Sequence, residues 1–265
     1  MTPSFLIGQY ISTGSVIHRL DPRIKLVMVF IFVFIVFFAN HLYSYVLFST
    51  FVIVVALATK IRLSYILKGI MPVGIFLLFT FFLHVVMTNE GQALLTIGPL
   101  TIYTGGVIRG IEISVRLFLL VFFTSLLTLT TPPMAITDGL EKLLSPLKKV
   151  GVPVHEFALM VSITLRFIPT LMEETDKISK AQASRGVDFR SGSLKSRAYA
   201  VVSLLIPLFI SSFRRADDLA LAMEARGYRG GEGRTNIRAL ILQKRDYVAM
   251  ILYGLMILLF IFVQS

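Results

Sequence analysis

The chain has 265 residues, 55% of them hydrophobic and 15% charged, with a mean hydropathy of +0.80 and 26 Lys plus Arg against 15 Asp plus Glu. Apolar content this far above that of a soluble domain, joined to a net charge of +11, excludes an ordinary soluble enzyme and reads as an all-α integral membrane protein with a basic cytoplasmic part. With no cysteine there can be no disulfide framework and no Cys-based metal site.

The N-terminal stretch lacks a basic segment followed at once by an apolar core, so the first span is expected to serve as an uncleaved insertion signal. Asp21 and Pro22 read as the cap and first residue of that span. A crossing helix needs roughly 20 apolar residues. The nearly unbroken apolar run 24–58 is too long for one span, and "ANH" at 39–41 divides it into spans 24–39 and 42–59, the first short and helped by Lys25 snorkelling. A third span is expected over 69–87, with Pro72 near its start, and a fourth over 107–129, stopped by "TTPP". Residues 88–106 between them read as a loop or short interfacial segment. On the fourth span, Glu112 is expected to pair with Arg116 while Arg109 reaches the outer surface, and "GVIRG" from Gly106 to Gly110 fits a close helix-packing motif. Residues 247–265 supply a fifth span.

Basic residues set the expected orientation. Arg19, Arg23 and Lys25 precede span one and Lys60, Arg62 and Lys68 separate spans two and three, whereas the loops on the other side carry none, so the N-terminus is placed inside and the C-terminus outside.

Residues 132–246 carry most of the remaining positive charge and form the expected cytoplasmic domain, after a membrane domain over 1–131. Its two apolar runs, 157–168 and 198–210, are short for crossing helices and are bounded by basic residues. They are read as parts of long helices that start near the membrane and run out into the cytoplasm, with crossing as the alternative. The two helices form a degenerate repeat. Each has Ile-Pro in its apolar half, at Pro169 and Pro207, where a missing N–H is expected to kink the helix. Each has an Asp nine residues before an Arg, and each ends in Ala-x-x-x-Arg-Gly, at Arg185-Gly186 and Arg226-Gly227. Glycine just past the last turn is a helix stop, and Arg there offsets the helix dipole. Arg twice on paired helices also suits a guanidinium fork that docks into a partner. Both readings stand on the pattern alone.

His18, His41, His84 and His155 are scattered without metal-ligand spacing, and no nucleophile-base set or paired carboxylates are recognisable. There is no P-loop, so ATP is not expected to bind here, and the basic excess fits anionic lipid and acidic partner grooves better than nucleic acid.

Across nearly its whole length the chain resembles the transmembrane T component of energy-coupling factor (ECF) transporters, the EcfT/CbiQ-like family. The residues that carry the likeness are "HRLDPRIKL" at 18–26, "GVP" at 151–153, "RFIPTLMEE" at 166–174, "SRG" (Ser184, Arg185, Gly186) and "ARG" (Ala225, Arg226, Gly227). The resemblance implies about five transmembrane helices plus a cytoplasmic or interfacial region of coupling helices between the fourth and fifth. It assigns one Arg motif to each of two ABC-type ATPase subunits, expected as a heterodimer. ATP and Mg would sit on those partners, and no cofactor is implied in this chain. A small membrane-embedded substrate-binding S component would rest on an apolar surface that includes Phe157, Met160, Leu204, Leu205, Leu208 and Phe209. The function implied is that of a non-enzymatic subunit of a bacterial cell-membrane importer for vitamins or other micronutrients. A substrate-path-forming permease of an ordinary ABC importer is the alternative, since "EARG" is faintly similar to a permease coupling loop.

Overall fold

The computed structural model describes residues 10–97, 100–189, 193–228, 230 and 240–264. It contains eight α-helices among the described residues: α1 Pro22–Phe37, α2 Leu42–Ala58, α3 Leu63–Met87, α4 Thr104–Thr130, α5 Pro133–Leu144, α6 Val154–Ser184, α7 Leu194–Ala225 and α8 Lys244–Gln264. Five of them, α3, α4, α6, α7 and α8, are long and apolar enough to cross a membrane. This set is not the five spans expected from sequence. α1 and α2, of 16 and 17 residues, are shorter, while the runs 157–168 and 198–210 are embedded in helices of 31 and 32 residues.

Two compact units divide the chain, Met1–Leu143 with Ala239–Ser265, and Leu144–Arg238. The second is narrower than the 132–246 expected for the cytoplasmic domain, because both flanks of that region are held by the first unit. At Gly139 of α5 a Cβ would stand 3.2 Å from Pro22 and Leu26 of α1, so the missing side chain lets the helices touch. On the other flank, the buried Asp246 carboxylate accepts the backbone N–H groups of Asp21 and Gln243, and Arg23 donates to Leu240 C=O.

In the first unit, the fully buried Phe32 of α1 packs on Phe48 of α2 and Phe123 of α4, with ring centroids 5.6 and 4.4 Å away, and Phe48 meets Phe260 of α8 at 4.9 Å. The opposite polarity holds outside. Ile75, Phe76, Phe79 and Phe82 of α3 are all exposed, a surface suited to lipid. As expected, Asp21 caps α1, accepting from Arg23 N–H, and Pro22 opens it. Burial pushes the Asp21 carboxyl up, but the Arg23 guanidinium, bonded to both its oxygens, holds it below the usual range.

Three local expectations are corrected. Lys25 does not snorkel: its side chain is buried and Nζ donates to Thr130 C=O at 3.1 Å and Thr131 Oγ1 at 3.0 Å, tying α1 to the end of α4. Arg116 does not pair with Glu112. It donates to Ala39 C=O at 2.8 Å and Tyr45 Oη at 2.9 Å, because the carbonyls at the end of α1 are unsatisfied acceptors in reach of a guanidinium. The 88–106 segment holds an antiparallel hairpin, β1 Ala93–Ile97 and β2 Leu100–Tyr103, favoured by β-branched Thr96, Ile97, Thr101 and Ile102. Gly98 and Pro99 lie outside the described residues.

"GVIRG" does mark a close seam. A Cβ at Gly106 would stand 3.0 Å from Thr88 C=O, and one at Gly110 would stand 3.0 Å from the Phe81 ring and 3.2 Å from Phe81 C=O, so α3 and α4 meet backbone to backbone. Gly110→Val is therefore expected to cost about 1–3 kcal/mol and lower the melting temperature of the purified protein in detergent. Gly254→Ala, where nothing lies within 4 Å, serves as the control and is expected to leave it unchanged or raised.

Candidate functional site: a capped antiparallel helix pair

The second unit is built on α6 and α7. Gly151 in the left-handed region ends a short 3₁₀ turn, Ser145–Val150, and Pro153 precedes α6, which accounts for "GVP" as the entry to this helix. Ser193 Oγ accepts from Ser196 N–H and caps the start of α7. Both helices are continuous through their prolines, Pro169 and Pro207.

The two Arg-Gly ends close with one geometry. Arg185 has φ −86° and ψ 6°, Arg226 φ −88° and ψ 7°, and the glycines that follow have φ 87° and 70°. At the first end Gly186 N–H donates to Ala183 C=O and Val187 N–H to Gln182 C=O, both at 3.0 Å. At the second, Gly227 N–H donates to Glu224 C=O at 2.8 Å and Tyr228 N–H to Met223 C=O at 3.0 Å. These are paired 5→2 and 6→1 bonds of a Schellman cap, which absorb the last carbonyls of each helix. Glycine is needed at this left-handed φ because an L side chain there would press on the following carbonyl. Ser184, Arg185, Gly186, Ala225, Arg226 and Gly227 are all exposed, so the cap geometry presents each guanidinium at a helix tip.

The helices run antiparallel, which the sequence reading of two helices running out side by side did not anticipate. Gln182 near the end of α6 meets Ser203 in the first third of α7; Glu174 meets Ser211 and Arg215; Phe167 lies under Arg215; and Ile163 and Thr164 share a cleft with Met223. Contacts move down α6 as they move up α7. Arg185 and Arg226 consequently stand at opposite ends of the pair, about 40 Å apart along the axis at about 1.5 Å per residue.

The middle of the pair is polar. Glu174 accepts from the Ser211 hydroxyl and, at 3.3 Å, from Arg215, whose guanidinium lies 5.6 Å from the Phe167 ring centroid. Towards the Arg226 end a cleft of about 400 Å³ opens between Ile163, Phe167 and Leu171 on one side and Leu219, Ala220 and Met223 on the other. Each apolar half also lies beside its neighbour's charged half. Residues 198–210 run along the part of α6 that carries Asp176, Lys177 and Lys180, and residues 157–168 along the part of α7 that carries Asp217, Asp218 and Glu224.

Of the apolar residues singled out in the sequence, Phe157, Met160, Leu205 and Phe209 are exposed, whereas Leu204 and Leu208 are half-buried. Val202, Ile206 and Phe213 extend the exposed stripe of α7. The residues that sequence reasoning missed are the cross-ties, Glu174, Gln182, Ser211 and Arg215. Only the partner helix gives them meaning; the one signal for Gln182 is that Pro207 must free a carbonyl four residues earlier.

These features define an all-α, multi-pass membrane protein with a second helical unit whose two ends are cationic and identically capped. Residues 13–237 match the CbiQ family, described as cobalt transport protein. The energy-coupling factor transporter transmembrane protein EcfT of Bacillus subtilis (strain 168) is 55% identical over 246 residues, 93% of each chain. The EcfT proteins of Brevibacillus brevis and Heliobacterium modesticaldum are each 50% identical, over 97% of both chains for the first and 98% of this chain and 97% of the relative for the second. The chain belongs to the CbiQ family and is a transmembrane component of the EcfT type.

The caps can be tested apart from any function. Gly227→Ala places a side chain at φ 70° with open space around it, so only backbone strain is added, about 1–2 kcal/mol. Hydrogen exchange at the Gly227-position and Tyr228 amides is expected to speed up about fivefold or more, with the global melting temperature nearly unchanged; Gly186→Ala is expected to act likewise at its own end.

Proposed function

We propose that the chain couples two cytoplasmic ABC-type ATPases to a membrane-embedded, substrate-binding S component in a bacterial importer of vitamins or other micronutrients. The observation that carries this reading is the pair of identically capped, exposed arginines at opposite ends of one antiparallel helix pair. Two equal ends about 40 Å apart suit two similar partners. A guanidinium at a helix tip, freed from capping by the backbone bonds of the following glycine, is available for bidentate bonding to carboxylates or carbonyls in a partner groove. Arg185 would engage one ATPase and Arg226 the other, ATP and Mg being held by those partners. When they close on ATP and reopen, the tips would be drawn together and apart.

The charge pattern supports a pair that lies along the cytoplasmic membrane surface, with the N-terminus inside and the C-terminus outside. A crossing pair would bring Glu174, Arg214 and Arg215 to the bilayer centre, where each charged residue costs roughly 2.5–3.5 kcal/mol on insertion scales. A surface pair turns Phe157, Met160, Leu205 and Phe209 towards lipid or an apolar partner and leaves the charged groups in water. Bulky aliphatic and Met side chains on such a face suit an S component that docks without a fixed polar register, with Leu204 and Leu208 packing behind them.

Arg185→Ala or Arg226→Ala is expected to weaken co-purification of the ATPases and reduce substrate uptake, and the double substitution to abolish uptake. Arg→Lys at either position is expected to restore activity only in part, since an ammonium cannot make the bidentate contact. Full uptake by the double variant, or transport by the purified chain without an S component, would contradict the reading.

A further inference from the structure

We propose that Gln182 is a positioning residue that links the Arg185 end of α6 to the proline of α7; the inference rests on the coupling function proposed above. Pro207 has no N–H, so the carbonyl four residues before it, that of Ser203, loses its partner within the helix. Gln182 of α6 donates its side-chain Nε2–H to that carbonyl at 3.1 Å. Only the amide NH₂ can serve a carbonyl, so the contact fixes the orientation of the Gln amide. A buried or half-buried carbonyl without a donor is costly, and both Gln182 and Ser203 are half-buried.

The same residue closes the cap. Gln182 C=O accepts Val187 N–H, the outer bond of the Schellman motif that places Arg185. One residue therefore has its main chain in the Arg185 cap and its side chain on the carbonyl that Pro207 leaves free in the neighbouring helix. A displacement of Arg185 reaches α7 at the turn before Pro207, the turn that carries exposed Leu205 and Ile206. A second tie, from Glu174 to Ser211 and Arg215, lies on the other side of Pro207, so α7 is gripped from both sides of its proline.

The arrangement is one-sided. The residue of the second cap that corresponds to Gln182 is Met223, whose thioether cannot donate, and it lines the apolar cleft. The Arg185 end is thus joined to the partner helix by a polar tie and the Arg226 end by apolar packing. The two Arg-Gly ends, alike in backbone, differ in how they pass on a displacement.

The test uses the complete complex, the chain with its two ATPases and S component, reconstituted in vesicles. Gln182→Leu and Gln182→Glu are expected to leave ATPase co-purification intact and to lower substrate taken up per ATP hydrolysed about two- to tenfold, the factor one neutral hydrogen bond carries. The Glu variant keeps the shape and loses the donor. A second readout needs no transport: spin labels on Ser184→Cys and Tyr199→Cys in this cysteine-free chain report the distance spread between the helices. Gln182→Leu is expected to broaden that spread, and to add no broadening when Pro207→Ala restores an N–H to the Ser203 carbonyl. An unchanged coupling ratio, or equal broadening with and without Pro207, overturns the inference while leaving the docking of Arg185 intact. Loss of ATPase co-purification in the arginine variants without any effect of Gln182 separates the two proposals in the same way.

Discussion

The antiparallel apposition of α6 and α7 is the constraint on which the functional unit depends. Because the helices run in opposite directions, their apolar halves do not meet; each is matched with its neighbour's charged half. A pair of this kind has no uniformly apolar zone as thick as a bilayer, although each helix taken alone is long and apolar enough to cross one. It has an apolar stripe, a polar middle held by Glu174, Ser211 and Arg215, and two cationic ends. The direction of the second helix thereby converts a sequence repeat into two identically capped arginine ends that face apart.

The first unit solves a different problem with the same materials. Its core is a set of interlocked phenylalanines from α1, α2, α4 and α8, and its outer face is equally apolar. Polar side chains appear inside it at chain ends, where helices leave orphan carbonyls and N–H groups. Lys25 serves the end of α4, Arg116 and Gln264 the end of α1, and Asp246 the N–H groups before α1 and α8. The buried charges of this unit, Asp21, Lys25 and Asp246, all serve helix ends, which is why Lys25 is not free to snorkel.

Much of this was legible in the sequence because it is local. The Asp-Pro start of α1, the glycine stops at Gly186 and Gly227, the close seam at Gly106 and Gly110 and the existence of both long helices each follow from a few neighbouring residues. What was not legible depends on a partner elsewhere in the chain. The register of α6 on α7 is set by side-chain packing and three polar ties, none with a periodic signature. The hairpin at 93–103 was hidden because short alternation between glycines resembles a loop. The preference of Arg116 for Ala39 over Glu112 needs the α1–α2 turn to be in place. The boundary of the second unit moved inward because Gly139 and Asp246 bind their segments to α1, contacts that composition cannot reveal.

The most direct test of the account is the side of the membrane on which each arginine tip lies. The chain has no cysteine, so Ser184→Cys and Ala225→Cys can be labelled singly with a membrane-impermeant maleimide in right-side-out and inverted vesicles. A helix pair lying along the cytoplasmic surface predicts that both positions react only in inverted vesicles. Because the pair is antiparallel, reaction of one position from each side would mean that α6 and α7 cross the bilayer, and would contradict the two-ended docking surface on which the account rests.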